Sequence, residues 1–139
     1  KFDTIVLAHI LEHVDNPVET LKIAKNFLND KGVLIVDVPN GNSLHRQVGV
    51  KMGLIKEKTE LNDADLSIGH QRVYTPESFK EDISKSGLSI SKFGGMFIKV
   101  TSNSQTEKVF NTEQLEALFM VGEENPEIAA EIFAICVLD

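Results

Sequence analysis

The sequence predicts an α/β fold whose sheet carries parallel strands. Residues 4–8 and 33–38 are short apolar runs rich in branched side chains, the pattern of strands covered on both faces. A well-marked helix lies between them. Strand, helix and strand within about forty residues form a βαβ unit, whose strands run parallel and whose crossover is right-handed. The size agrees, since 139 residues with 42% apolar and 25% charged side chains suit one globular domain or part of one.

The helix opens at Asn16-Pro17. Asn16 can accept from free amides, Pro17 suits the first helical position, and Glu19 puts a carboxylate in the first turn. Val18, Leu21, Ala24, Phe27 and Leu28 recur at helical spacing, and Asn29-Asp30-Lys31-Gly32 is the stop, with Gly32 expected in the left-handed region. Pro39-Asn40-Gly41 ends the second strand. Residues 42–69 read as an insertion or lid after a strand's carboxyl end, with Leu44, Val48, Met52 and Ile55 marking one short amphipathic helix. Thr75-Pro76-Glu77 opens a further helix that buries Phe79 and Ile83 and stops at Gly87. Residues 88–93 and 96–101 are strand-like around Gly94-Gly95, which predicts a tight hairpin or one bent strand. A polar stretch over 103–108, a short helix over 113–120 and an interior strand over 132–138 complete the chain.

Composition narrows the function. Fourteen basic against twenty-one acidic residues give a net charge of −7, a field that repels phosphate backbones and argues against nucleic acid as a partner. No apolar run approaches the roughly 20 residues of a membrane helix, and no signal peptide pattern is present. The single cysteine, Cys136, excludes an internal disulfide framework and fits a reducing compartment, so the cytoplasm is expected. The chain opens on Lys1-Phe2-Asp3 hard against its first strand, which predicts that it is a piece of a longer protein.

Three constellations can carry chemistry. His9-Ile10-Leu11-Glu12-His13 has the spacing of the inverted zinc-peptidase signature, which needs both histidines on one helical turn and a third ligand such as His45 or His70. Its position between a strand and a capped helix favours a loop, with no metal. In an open parallel sheet ligands sit beyond the carboxyl ends of the strands, so Ala8-His9 and Pro39-Asn40 should share one rim. Gly69-His70-Gln71-Arg72-Val73-Tyr74 is the third, where His70 can serve as proton acceptor, or where Tyr74 packs on the next helix and Arg72 is solvated. No Gly-x-Gly-x-x-Gly turn and no Gly-x-Ser-x-Gly elbow occurs, and Cys136 reads as an inert core thiol.

Three segments occur in a telling order. Phe2-Asp3-Thr4-Ile5-Val6 is followed by Leu11-Glu12-His13-Val14 and Asn16-Pro17, then Leu28 to Gly32 with Val33-Leu34 and Pro39-Asn40, then Gly69-His70 with Tyr74-Thr75-Pro76 and Ser86-Gly87-Leu88. This arrangement resembles the class I S-adenosylmethionine-dependent methyltransferases, in their small-molecule type 11 or type 23 branch. Lys31 and Leu88 depart from the family's usual Gly and Phe.

The resemblance implies a Rossmann-like sheet of order 3-2-1-4-5-7-6, of which residues 1–139 are the C-terminal half, order 4-5-7-6, with the last strand antiparallel and helices on both faces. The half with the glycine-rich cofactor loop would be missing, leaving strand 4 with a free edge that pairs with another chain, as in a homodimer. S-adenosylmethionine is the implied cofactor, with Ala8 and His9 bordering its methionine part and His13 supporting that turn or touching the ligand. Asn40, His70, Arg72, Tyr74 and the 42–69 insertion would shape the side for a small-molecule acceptor, with His70 and then His9 as candidate bases. Two other functions compete: a zinc hydrolase on His9, Glu12 and His13, and a non-catalytic α/β association module.

Overall fold

The computed structural model describes residues 1–138. The order is β1 (Phe2–Ala8), α1 (Pro17–Asn26), β2 (Leu28–Pro39), α2 (Leu44–Lys51), α3 (Asp63–Ser67), α4 (Pro76–Lys85), β3 (Leu88–Met96), α5 (Asn103–Val109), α6 (Thr112–Glu124) and β4 (Glu131–Leu138). The four strands form one sheet in the order β1-β2-β4-β3. β1 and β2 are parallel, and β4 runs antiparallel to both β2 and β3. This is the order 4-5-7-6 with its last strand reversed.

Period-two alternation in β2 and β4 puts Leu34, Val36, Val38, Ile132, Ala134 and Cys136 on one face. There they meet Leu21 and Ala24 of α1 and Phe79 and Ile83 of α4 in the core. The opposite face carries Val33, Ile35, Phe133 and Ile135, all half-buried, and Val6, 57% exposed. α6 packs against β3, and its Glu123 reaches Lys92, whose ammonium lies over the Phe133 ring.

Several boundaries differ from the sequence expectation. α1 ends at Asn26 with Phe27 as its cap, and β2 begins at Leu28, so Leu28 is a buried strand residue. Gly32 is not left-handed. It lies in β2 where the register slips between Phe2/Leu28 and Thr4/Val33, and a Cβ there would sit 2.9 Å from the Phe2 carbonyl oxygen. Close backbone approach, not helix termination, calls for glycine at that position. Gly94-Gly95 stays inside one strand, β3, with a register shift between Ile90 and Lys92. A Cβ on Gly95 would lie 2.5 Å from the Gly122 carbonyl oxygen, so the pair Gly95 and Gly122 lets α6 dock on β3. Residues 97–101 are not a strand, because Phe97, at φ 64°, turns the chain off the sheet. The polar stretch at 103 forms a helix, α5.

Candidate functional site at the carboxyl rim of the sheet

Because β4 opposes its neighbours, its first residue arrives at the rim where β2 and β3 end. Glu131 pairs with both Pro39 and Met96. A pocket of about 310 Å³ opens there, lined among others by His9, Glu12, Asn40, His70, Arg72 and Tyr74. Its outer wall comes from the 42–69 segment through His45, Arg46 and Asp65. Arg46 organises that wall: its guanidinium donates to the carbonyls of Lys58 and Glu60 and meets Asp65 Oδ2 at 3.2 Å.

Residues 9–15 form a loop, with Leu11 fully buried beneath it. His9 takes the left-handed conformation, φ 50°, and its amide donates to the Asp37 carbonyl at 3.2 Å. The His9 ring then sits among three carboxylates. Nε2 is 3.2 Å from Asp37 Oδ2 and 3.3 Å from Glu131 Oε2, and Nδ1 is 3.2 Å from Glu12 Oε1. Burial alone would push the imidazole pKa down, but Glu131, Asp37 and Glu12 outweigh it and hold His9 above its ordinary value. Asp37 is also raised, by burial and by the negative charges of Glu131 and Glu12 against the opposing pull of His9. Glu12 is 1% exposed, and neither of its oxygens receives an aligned hydrogen bond.

The zinc-peptidase arrangement does not form. His9 faces Asp37 and Glu131, whereas His13 faces His70, with ring centroids 4.8 Å apart. A loop with Leu11 as its anchor cannot present both histidines from one helical turn.

The 69–72 segment clamps this loop from above. Arg72 Nη1 donates to the carbonyls of Leu11 (2.6 Å) and Val14 (2.5 Å), and the Gln71 amide donates to the Glu12 carbonyl at 2.8 Å. Arg72 is therefore engaged with backbone rather than solvated. His13 Nδ1 lies 3.2 Å from the Gly69 carbonyl, and His70 Nδ1 lies 3.2 Å from Asp65 Oδ1. The Tyr74 hydroxyl donates to Asp82 of α4 at 2.9 Å, and burial raises its pKa well beyond the ordinary phenol value. Asn40 braces the end of β2 against the approach to β4, donating to the Ala129 carbonyl at 2.9 Å.

Of the residues expected at the site, His9, Asn40, His70, Arg72 and Tyr74 line the pocket together. Ala8 is exposed at the end of β1, and His13 stands behind His70. Sequence reasoning missed Asp37, Lys99 and Glu131. Their only signal is topological, since Glu131 reaches the rim through the antiparallel setting of β4. A second, more apolar pocket of about 280 Å³ shares Lys99 and Glu131 with the first and is lined by Met96, Phe97, Leu115 and Phe119.

A family model described as a methyltransferase domain, of the type 23 branch, matches residues 1–92. No curated protein sequence matches the chain significantly. Among solved structures, an S-adenosylmethionine-dependent methyltransferase from Mesorhizobium loti matches with a TM-score of 0.60 and 12% identity, over 98% of this chain and 61% of its own. A possible histamine N-methyltransferase from Thermotoga maritima matches at 0.57 and 17%, over 100% and 56%. A methyltransferase from Archaeoglobus fulgidus matches at 0.55 and 16%, over 97% and 58%. The chain thus spans little more than half the length of these structures, and at such identities the likeness is one of fold. With the family model covering 92 of the 139 residues and the strand order agreeing, the chain belongs to the class I S-adenosylmethionine-dependent methyltransferases.

Proposed function

We propose that the rim pocket is the acceptor side of a methyl-transfer site acting on a small molecule. The observation that carries this is the convergence of His9, Glu12, Asn40, His70, Arg72 and Tyr74 on one pocket at the carboxyl ends of the strands, where open α/β sheets bind ligands. The residues present fit one end of the family's cofactor. The exposed end of β1 at Ala8 and the carboxylates of Glu12, Asp37 and Glu131 suit a cationic methionine group. The nucleotide end calls for a glycine-rich turn that these 139 residues do not contain. When bound, S-adenosylmethionine supplies an electrophilic methyl group on a sulfonium, open to in-line displacement.

The protein's part is alignment and exclusion of water, because the departing sulfide needs no proton. A base is needed only for an acceptor hydroxyl or amine. His9, raised by its carboxylate neighbours, is better suited to hold a proton than to take one. His70 fits the base role, since Asp65 engages Nδ1 and leaves Nε2 as the acceptor atom. The apolar pocket beside Phe97 and Phe119 favours an acceptor with an apolar body.

The test is His70→Ala in the full-length protein, with S-adenosylhomocysteine affinity measured by calorimetry and turnover by transfer of labelled methyl to hydroxyl and amine acceptors. Turnover is expected to fall about 100-fold, the usual contribution of a general base, with affinity changed less than about threefold. Equal loss of both overturns the role of His70. Absence of S-adenosylhomocysteine binding in the unsubstituted protein overturns the reading as a whole.

A further inference from the structure

Glu12, His13 and His70 form a cluster that methyl transfer does not use as a unit. A carboxylate oxygen of Glu12 and a ring nitrogen of each histidine all lie within 4.8 Å of one another. Each histidine is oriented through its Nδ1. For His13 the partner is the Gly69 carbonyl at 3.2 Å, which only accepts, so Nδ1 carries the proton. For His70 it is the Asp65 carboxylate at 3.2 Å, itself held by Arg46. Both rings are left with the Nε2 lone pair free. A carbonyl or carboxylate on the far nitrogen is how metal-ligating histidines are set in tautomer and direction.

Glu12 supplies the independent observation. It is 1% exposed, and neither oxygen has a hydrogen-bond partner; His9 Nδ1 stands 3.2 Å from Oε1 but not in line for one. A buried carboxylate without hydrogen bonds is costly unless a cation compensates it, and the one His9 imidazole beside Glu12 is shared with Asp37 and Glu131. Glu12 and His70 also line the rim pocket.

We propose that Glu12, His13 and His70 bind one divalent transition-metal ion at the wall of the rim pocket. Two imidazoles and one carboxylate suit a borderline ion such as zinc rather than calcium or magnesium, and three protein ligands leave a position open. Side-chain rotation closes the trio on an ion with ligand distances of about 2.1 Å. The inference does not rest on methyl transfer. It does set two uses of His70 against each other, because the ion takes the lone pair that a base would need.

The experiment is titration of the full-length protein with Co²⁺, followed by its visible absorption, with Zn²⁺ as competitor. The expected result is one equivalent per chain, displaced by Zn²⁺. Glu12→Gln and His70→Gln are expected to weaken binding at least tenfold. Asp65→Asn, a change to a positioning residue, should weaken it roughly 10- to 100-fold. Asp37→Asn and Glu131→Gln, in the neighbouring His9 cluster, should leave it unchanged. Circular dichroism establishes that each variant is folded, and the unsubstituted protein alone decides the question if one is not. No saturable binding up to about 1 mM, a range weaker than any structural or catalytic zinc site, overturns the proposal. So does loss through Asp37→Asn with His70→Gln unaffected. Calorimetry with S-adenosylhomocysteine on the same sample separates failure of the metal site from failure of the methyltransferase reading.

Discussion

Asn40 illustrates how much structure one side chain can hold. It is 1% exposed, its Nδ2 donates to the carbonyls of Ala129 (2.9 Å) and Pro126 (3.2 Å), and its Oδ1 accepts from the Asn42 amide at 2.9 Å. Asn40→Ala strands these buried groups and should cost about 2–4 kcal/mol, read from the shift of a urea unfolding midpoint. A loss below about 1 kcal/mol would mean that water satisfies the freed carbonyls. The sequence marks Asn40 as a rim residue because it follows a strand, but the carbonyls its Nδ2 holds lie 86 to 89 positions away, beyond any local pattern. His45 gives a prediction in pH. Burial, then the charges of Lys99 and Arg46, lower its pKa from 6.5 to about 4. Between these values the unfolded chain binds a proton that the folded chain refuses, so stability falls as pH drops through that window. His45→Gln should flatten that part of the stability profile, measured as urea midpoints at pH 7 and pH 5. An unchanged slope would place the proton uptake on other groups.

Among the elements, α4 was the most legible. Thr75 and Ser78 close a capping box, Pro76 stands at the first position, and Gly87 adopts φ 74° directly after the helix. Each of these signals is local, so a short window of sequence contains all of them. Gly87→Ala should destabilise the protein by about 1–2 kcal/mol, the cost of a left-handed Cβ, and Gly87→Asn should recover part of it, as thermal unfolding would show. Equal effects of the two would point instead to the contact a Cβ makes with the Lys25 ammonium. α5 was not legible. Its Ser102 and Gln105 form a capping box, yet residues 103–109 lack an apolar stripe, so periodicity gives no helical signal there. The boundary between α1 and β2 shifted for a related reason: Phe27 and Leu28 continue the helical spacing, but Leu28 gains more by pairing opposite Phe2 in the sheet. Pairing across the sheet is a tertiary preference, and periodicity does not encode it.

For the molecule as a whole, the parallel βαβ unit was readable from pattern, whereas the order β1-β2-β4-β3 came only with the family resemblance. Part of the rim depends on that order, which is why Glu131 on β4 escaped notice while His9 and His70 did not. The same sheet leaves β1 at its edge, with backbone groups unpaired on one side, beside Phe2 at 58% and Val6 at 57% exposure. Edge strands with exposed apolar side chains template pairing with further strands, and natural proteins blunt them with lysine. The 139-residue chain is therefore expected to self-associate as its concentration rises, and Val6→Lys should suppress this. Because the side chain at position 6 is exposed, the substitution should change stability by less than about 0.5 kcal/mol, so association and folding separate cleanly. Sedimentation velocity across a concentration series reads the first quantity and urea unfolding the second. A mass that stays at 15.4 kDa throughout in the unsubstituted chain would show that its edge is protected by twist or charge rather than open. Association that persists in Val6→Lys would place the contact further across the same face, at Phe133 and Ile135, where a second substitution, Ile135→Lys, would then be the one to break it.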